Sequence, residues 1–290
     1  MTQFRAVAAF VVLILIWGSA FPFIKYGLDF SPPVLFAGVR TLVGGLVLVA
    51  VAMVWGGKPD LRRTWPMLLV SGLLNVVAFI GLQTFAVQYL TSGLAAILIY
   101  LQPILVGFLA WLFLNEALTP ARVAGLGLGF AGVVAVSSGG LNGGSSALGI
   151  LFGILAAAGW ALGTVYFKRV EERVSMLWFI GGAFLAGGIF LSGLGLLVES
   201  PQQMQWNLAF VYSIFHTGVL GCAIAWLLFL SLIRAGEAGR VAAFTFFVPL
   251  VSVLLGAVFL GEPLSLSLLL GAACVVVGIY FVNRPQPVKG

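Results

Sequence analysis

Long apolar runs alternate with short polar breaks from one end of the chain to the other. Most runs are 18 to 24 residues long, which at about 1.5 Å per helical residue spans a hydrocarbon core roughly 30 Å thick. Membrane strands would show short segments of alternating polarity, and these runs are unbroken. Reading from breaker to breaker predicts ten helices. The first five cover about 4 to 26, 32 to 55, 65 to 87, 92 to 114 and 120 to 138. Their breaks are Ser31-Pro32-Pro33, the polar run Gly56 to Thr64, Tyr89-Leu90-Thr91, and Thr119-Pro120, a cap residue followed by proline at the first helical position. A linker, Gly139 to Ser146, leads to the second five, at about 147 to 169, 175 to 198, 206 to 233, 238 to 260 and 264 to 283.

The pattern occurs twice. Trp17 and Lys25 recur as Trp160 and Lys168, an offset of 143. Gly93, Pro103, Glu116, Leu118, Gly125 and Gly132 recur as Gly239, Pro249, Glu262, Leu264, Gly271 and Gly278, an offset of 146. The extra three residues enter between Lys168 and Gly218, in helix 7 or its loops. Residues 4–138 and 147–283 are thus two copies of one five-helix unit.

Composition agrees with this division: 62% hydrophobic and 8% charged residues cannot clothe a water-soluble domain of 290 residues, so the fold class is an all-α integral membrane protein. Positively charged short loops stay cytoplasmic. With the N-terminus inside, Arg5, Lys58, Arg62, Arg63, Arg122, Lys168, Arg169, Arg173, Arg234, Arg240, Arg284 and Lys289 fall on that side, twelve of the fourteen basic residues. The net charge of +6 is therefore a topology signal rather than a nucleic-acid surface, and both termini are expected in the cytoplasm. Five helices per unit require the second unit to enter from the opposite face. Lys25 and Lys168, and Glu116 and Glu262, then end on opposite sides. Two inverted repeats around a central cavity are the architecture of an alternating-access carrier.

A cleavable leader is the competing reading of the N-terminus, with Arg5 before an apolar run and Gly18, Ser19 and Ala20 after it. Cleavage would remove Trp17 and leave its counterpart Trp160 unmatched. Cys222 and Cys274 lack metal-ligand spacing and read as packing residues, and no metal or cofactor is expected. One histidine, with no carboxylate in mid-helix, argues against an embedded enzyme, and no polar stripe or charge ring suggests a channel. A channel-like or structural membrane protein remains the alternative from another class.

The paired motifs, Trp17 to Lys25 with Arg40 and Pro103 with Glu116, repeated as Trp160 to Lys168 and Pro249 with Glu262, resemble the drug/metabolite transporter superfamily, in particular its ten-helix branch with two EamA domains. The resemblance runs from about residue 6 to 283, and departs from the pattern where Ala183 stands opposite Arg40. It implies an inner-membrane exporter of amino acids or other small metabolites, with a cavity lined by helices 1, 3, 4, 6, 8 and 9; the group includes YddG-like exporters of aromatic amino acids. The partners implied are a small-molecule substrate and the bilayer, with the chain a monomer or weak homodimer.

Polar side chains in lipid-crossing helices face protein or a wet cavity. Asn75, Gln83, Tyr100, Thr164, His216 and Thr245 are the substrate-binding candidates on that ground, with helix-to-helix bonding as the alternative for each. Gln102 has the same character. Trp17 with Phe21, and Trp160 with Thr164, are i, i+4 pairs expected to face the repeat axis, and Phe79 joins this aromatic set. Pro22, Pro103 and Pro249 each free a backbone carbonyl and are candidate hinges or packing kinks. Glu116 and Glu262 are expected to cap the next helix in sequence. Arg40 is expected to snorkel outward or to bind carbonyls of another helix, with a substrate carboxylate as the third possibility. Few basic residues are available to a cavity, which disfavours phosphorylated cargo; aromatic or branched amino acids fit better, and amines or drugs are the alternative. Without an embedded carboxylate, facilitated diffusion or exchange is expected rather than obligatory proton antiport.

Overall fold

Helices account for every regular element among the described residues, which in this computed structural model are 3–117, 119–142, 146–236, 238–245 and 247–283. Leu118, Glu237, Phe246, Arg284 and Lys289, and residues 143–145 of the expected linker, lie outside them. The first half comprises α1 (Gln3–Gly27), α2 (Pro33–Trp55), α3 (Leu61–Tyr89), α4 (Ser92–Leu114) and α5 (Pro120–Asn142). The second comprises α6 (Ala147–Val170), α7 (Met176–Val198), α8 (Leu208–Ala235), α9 (Ala238–Phe244 and Phe247–Leu260) and α10 (Leu266–Asn283). Among the described residues seven helices, α1 to α4 and α6 to α8, are long and apolar enough to cross a membrane. The chain is a multi-pass membrane protein.

The two halves interleave. α1 packs on α9 as α6 packs on α4, and α2 packs on α8 as α7 packs on α3. α2 and α7 lie together, and so do α5 and α10. Gly278 shows how closely α5 and α10 approach: a methyl group there would meet the Gly125 carbonyl and the Gly129 backbone. The glycine pattern in these helices thus serves contact within one chain. Each half leaves its apolar faces open without the other, so the pair folds as one body.

α7 begins and ends 143 positions after α2, so the three extra residues do not lie in helix 7. They lie in the loop from Glu199 to Asn207, which carries a 3₁₀ turn at Pro201–Gln203. That loop folds back on the first half. Gln205 N donates to Phe30 O, and the Glu199 carboxylate accepts from Val34 N and Leu35 N at the start of α2.

Two features at matched positions were not expected from hydropathy. α3 and α8 widen into π-helix at Gly72–Gly81 and Phe215–Ala225, a rare form that is frequent at functional sites. α4 and α9 break in mid-course, between Ile99 and Gln102 and between Phe244 and Phe247, just ahead of Pro103 and Pro249.

The corners joining α3 to α4 and α8 to α9 are locked from across the repeat. After α4, Asn115 turns left-handed (φ 58°), and after α9 Gly261 does the same (φ 65°). In both, the next glutamate's N–H reaches back six residues, Glu116 N to Ala110 O and Glu262 N to Gly256 O. Its carboxylate then caps a helix of the other half. Glu262 accepts from Ser92 N, Ser92 Oγ and Gly93 N, and Glu116 accepts from Ala238 N. The expected cap on the next helix in sequence is therefore corrected: the left-handed turn throws each carboxylate sideways, Glu116 onto the start of α9 and Glu262 onto the start of α4. The lysines complete the arrangement. Lys25 Nζ donates to Val87 O, Gln88 O and Leu90 O at the end of α3, and Lys168 Nζ donates to Ile233 O at the end of α8. Cations at helix C-termini and carboxylates at N-termini both follow the helix dipole.

Gly149 at the start of α6 lies against Tyr89 and Leu90, whereas Lys168 near its end reaches α8. The two corners therefore sit at opposite ends of α6, about 28 Å apart at 1.5 Å per residue.

Candidate functional site

Between the corners the molecule is aromatic. Trp160 of α6 stacks on Phe79 of α3 (centroids 4.7 Å apart, planes at 15°) and meets Trp17 of α1 and Tyr100 of α4 edge-on, at 5.1 and 5.4 Å. Trp226 of α8 adds a third indole, 6.0 Å from Trp17 and 6.3 Å from Trp160. Edge-to-face and offset contacts of this kind add about 0.5–1.5 kcal/mol each beyond the area buried. Helices from both halves thus supply one cluster, and it surrounds a cavity of about 30 Å³, room for one or two waters.

Of the residues proposed from sequence, Trp17, Phe21, Phe79, Gln83, Tyr100 and Trp160 border this cavity. Asn75, Thr164, His216 and Thr245 are buried but do not border it. Asn75 Nδ2 donates to Ser71 Oγ at 3.1 Å, and the Asn75 amide packs against Gly163 of α6. The Thr164 hydroxyl donates to Trp160 O and accepts from Gln102 Nε2 at 3.2 Å, tying α6 to α4. His216 Nε2 lies 3.1 Å from Ser19 Oγ, with its ring stacked on Phe23 at 4.0 Å. The Thr245 hydroxyl turns back to Ala242 O where α9 breaks. Pro103 and Pro249 follow the breaks in α4 and α9, and Pro22 lies inside α1 next to cavity-lining Phe21.

Two cavity features escaped the sequence reading, and for a third it left several directions open. Trp226 was legible as a tryptophan deep inside an apolar run, in the manner of Trp17 and Trp160. The Gly221 carbonyl, which accepts from Trp17 Nε1 at 3.2 Å, belongs to the π-helical stretch of α8, and π-helix leaves no mark on hydropathy. Arg40 is the third, and the expectation that it snorkels outward is corrected. It is 3% exposed and borders the cavity, because it lies on the face of α2 turned to α3, where its side chain has no route to water. Its Nη2 donates to Ile80 O (3.3 Å), Gln83 Oε1 (3.0 Å) and Thr84 Oγ1 (3.0 Å), and the guanidinium carbon sits 5.7 Å from the centre of the Phe36 ring. The expected contact with a carbonyl of another helix is present through Ile80.

No aspartate or glutamate is buried among the described residues. A second, open and polar pocket of about 480 Å³ lies beyond the end of the cavity's helices, between the α1–α2 loop and the longer α7–α8 loop, with Asp29, Gln88 and Glu199 in its walls.

The sequence pattern of the EamA-like transporter family matches residues 4–138 and 147–284, in two copies. An uncharacterized transporter of Bacillus subtilis, YvbV, is 43% identical over 96% of this chain and 92% of its own length. The uncharacterized inner membrane transporter YedA of Escherichia coli K12 is 29% identical over 95% of this chain and 89% of its own. A solved crystal structure superposes with a TM-score of 0.72 over 96% of this chain and 97% of that one; at 23% identity it bears on the fold alone.

Proposed function

The chain belongs to the EamA-like transporter family and is a membrane transporter, and on that premise we propose that it exports small, partly apolar metabolites, in the first place aromatic or branched amino acids, by alternating access. The observation that carries this reading is the aromatic cavity, built by helices of both halves, with a corner that the opposite half caps toward each end of α6.

The ten helices are read as ten spans in two inverted five-helix repeats. In support, the two corners lie at opposite ends of α6 and carry matched residues, Lys25 with Glu262 at one and Lys168 with Glu116 at the other. The charge distribution puts both termini in the cytoplasm, and the inner membrane is the compartment that YedA's name suggests. Pro22, Pro103 and Pro249 are read as hinges, the last two because the helix already breaks beside them. With so little space in the cavity, cargo is admitted only when the aromatic walls part. Three indoles and three further aromatic rings suit an apolar side chain. The absence of a buried carboxylate among the described residues fits facilitated diffusion or exchange. Asn75, Thr164, His216 and Thr245 are read as bonding between or within helices rather than as first contacts of the cargo.

The test is reconstitution into liposomes with a panel of labelled amino acids and amines, with and without imposed pH and sodium gradients. Saturable counterflow of an aromatic or branched amino acid that persists without gradients is expected. Flux that stays linear with concentration speaks for a channel, uptake that stops when a pH gradient collapses refutes gradient-independent transport, and counterflow of amines alone replaces the cargo.

A further inference from the structure

We propose that Arg40 is the anchor for a carboxylate on the cargo, so that the substrate class is a small aromatic or branched monocarboxylate seated with its acid on α2 and its side chain among the indoles. This rests on the carrier reading above and names the chemistry of its cargo.

The argument starts from what Arg40 lacks. A guanidinium carries five N–H donors in a planar fork and keeps its charge in proteins. Taking it out of water costs several kcal/mol unless an opposite charge and further hydrogen bonds compensate. Arg40 is buried, yet among the described residues it makes no ion pair; its three bonds all leave from Nη2 and all end on neutral oxygens. Nε has no partner. Gln83 and Thr84 therefore hold the fork by one corner and fix its orientation without neutralising it.

The second observation is the character of the other unsatisfied group on the cavity. Trp160 Nε1 is buried and has no partner among the described residues, whereas Trp17 Nε1 has one in Gly221 O. Arg40 Nε and Trp160 Nε1 are both donors, and both residues border the cavity. A buried donor without an acceptor is costly, and a cavity edged by two of them favours a ligand rich in acceptors. A carboxylate supplies about four lone-pair sites and a charge opposite to that of the fork.

The third observation is asymmetry. The corner lysines and glutamates and the pair Pro103 and Pro249 recur across the halves, as a requirement of the shared fold would. Arg40 does not; α7, which matches α2 end for end, has Ala183 in its place. A charge present in one copy of a duplicated fold serves what is not duplicated, and the cargo lies on the axis once.

Four probes separate the groups: phenylalanine, phenylalaninamide, phenethylamine and 3-phenylpropionate. Binding to the purified full chain is read from the fluorescence of Trp17, Trp160 and Trp226, and preference from competition in counterflow. The two carboxylates are expected to bind at least about tenfold more tightly than the amide and the amine. In Arg40→Gln that gap closes. If Arg40→Gln does not fold, Arg40→Lys, which keeps the charge and loses the fork, is expected to shrink the gap by about threefold or more. A wild-type chain that binds neither carboxylate, or binds all four alike, overturns the proposal. So does a folded Arg40 variant with an unchanged gap. Carboxylate-selective binding without any counterflow would leave the anchor standing and remove the carrier, whereas counterflow without carboxylate preference does the reverse.

Discussion

At the two corners every charged side chain that recurs between the halves reaches backbone: Lys25 and Lys168 on the last carbonyls of α3 and α8, Glu262 and Glu116 on the first amides of α4 and α9. Lys168 and Glu116 also have an opposite charge nearby, in Glu171 at 2.8 Å and Arg122 at 3.6 Å. At the cavity between them, Arg40 keeps its charge without a counter-ion and Trp160 keeps its N–H without an acceptor. The corner charges are partnered and duplicated; the cavity holds donors without acceptors and, at Arg40, a charge present once. The difference separates the residues that specify the fold from those held for something outside it, because a half-satisfied buried donor is a cost that folding alone gives no reason to keep.

Substitutions that remove one region and spare the other test this separation. The largest effect is expected at Trp160→Ala, which empties the middle of the aromatic cluster. A loss of about 3–5 kcal/mol in stability accompanies it, read as a lower midpoint of thermal unfolding in detergent, together with loss of counterflow. Trp160→Phe keeps most of the packing and removes only the donor, so it is expected to unfold near the wild-type midpoint while binding 3-phenylpropionate more weakly. If the two variants lose transport only in proportion to stability, the cavity is a core like any other.

Glu262→Ala should come next. It strips three hydrogen bonds from the start of α4, and about 2 kcal/mol is the expected cost. Gly256→Ala attacks the same corner from beneath, since its methyl group would run into the Glu262 carboxylate and Ser92 Oγ. Both variants are expected to lower the unfolding midpoint and to leave the order of preference among cargo probes unchanged. A changed order would place the corner in the recognition machinery and erase the contrast.

Asn75→Ala is expected to cost about 1 kcal/mol through its bond to Ser71, with no change in cargo preference. The smallest effect is expected at Thr245→Val, whose hydroxyl bonds only its own turn.

How much of this was legible beforehand divides along the same line. The helices, the duplication and the pair Trp17 and Trp160 could be read, because hydropathy and spacing are local properties of the chain. The direction of the Glu262 carboxylate was not, because it depends on the left-handed turn at Gly261 and on a helix of the other half. The site was half legible for a similar reason. Trp17, Phe21, Phe79, Gln83, Tyr100 and Trp160 reach the cavity, while Asn75, Thr164, His216 and Thr245 bond between or within helices. A polar residue in an apolar helix announces that it avoids lipid, and both destinations satisfy that condition. Arg40 gave the same signal, and only the packing of its face of α2 against α3 decides that it turns inward.

Cys222 offers the most direct view of whether cargo passes between the indoles. Its thiol borders the cavity and is 2% exposed, and with Cys274 replaced by serine it becomes the single reporter. In reconstituted Cys274→Ser protein, N-ethylmaleimide should modify Cys222 slowly, at a rate set by opening of the cavity. A saturating concentration of whichever probe gives the fastest counterflow should change that rate by about fivefold or more. Modification of Cys222 at one unvarying rate, with counterflow running and the transported probe at saturation, would mean that the cargo travels elsewhere.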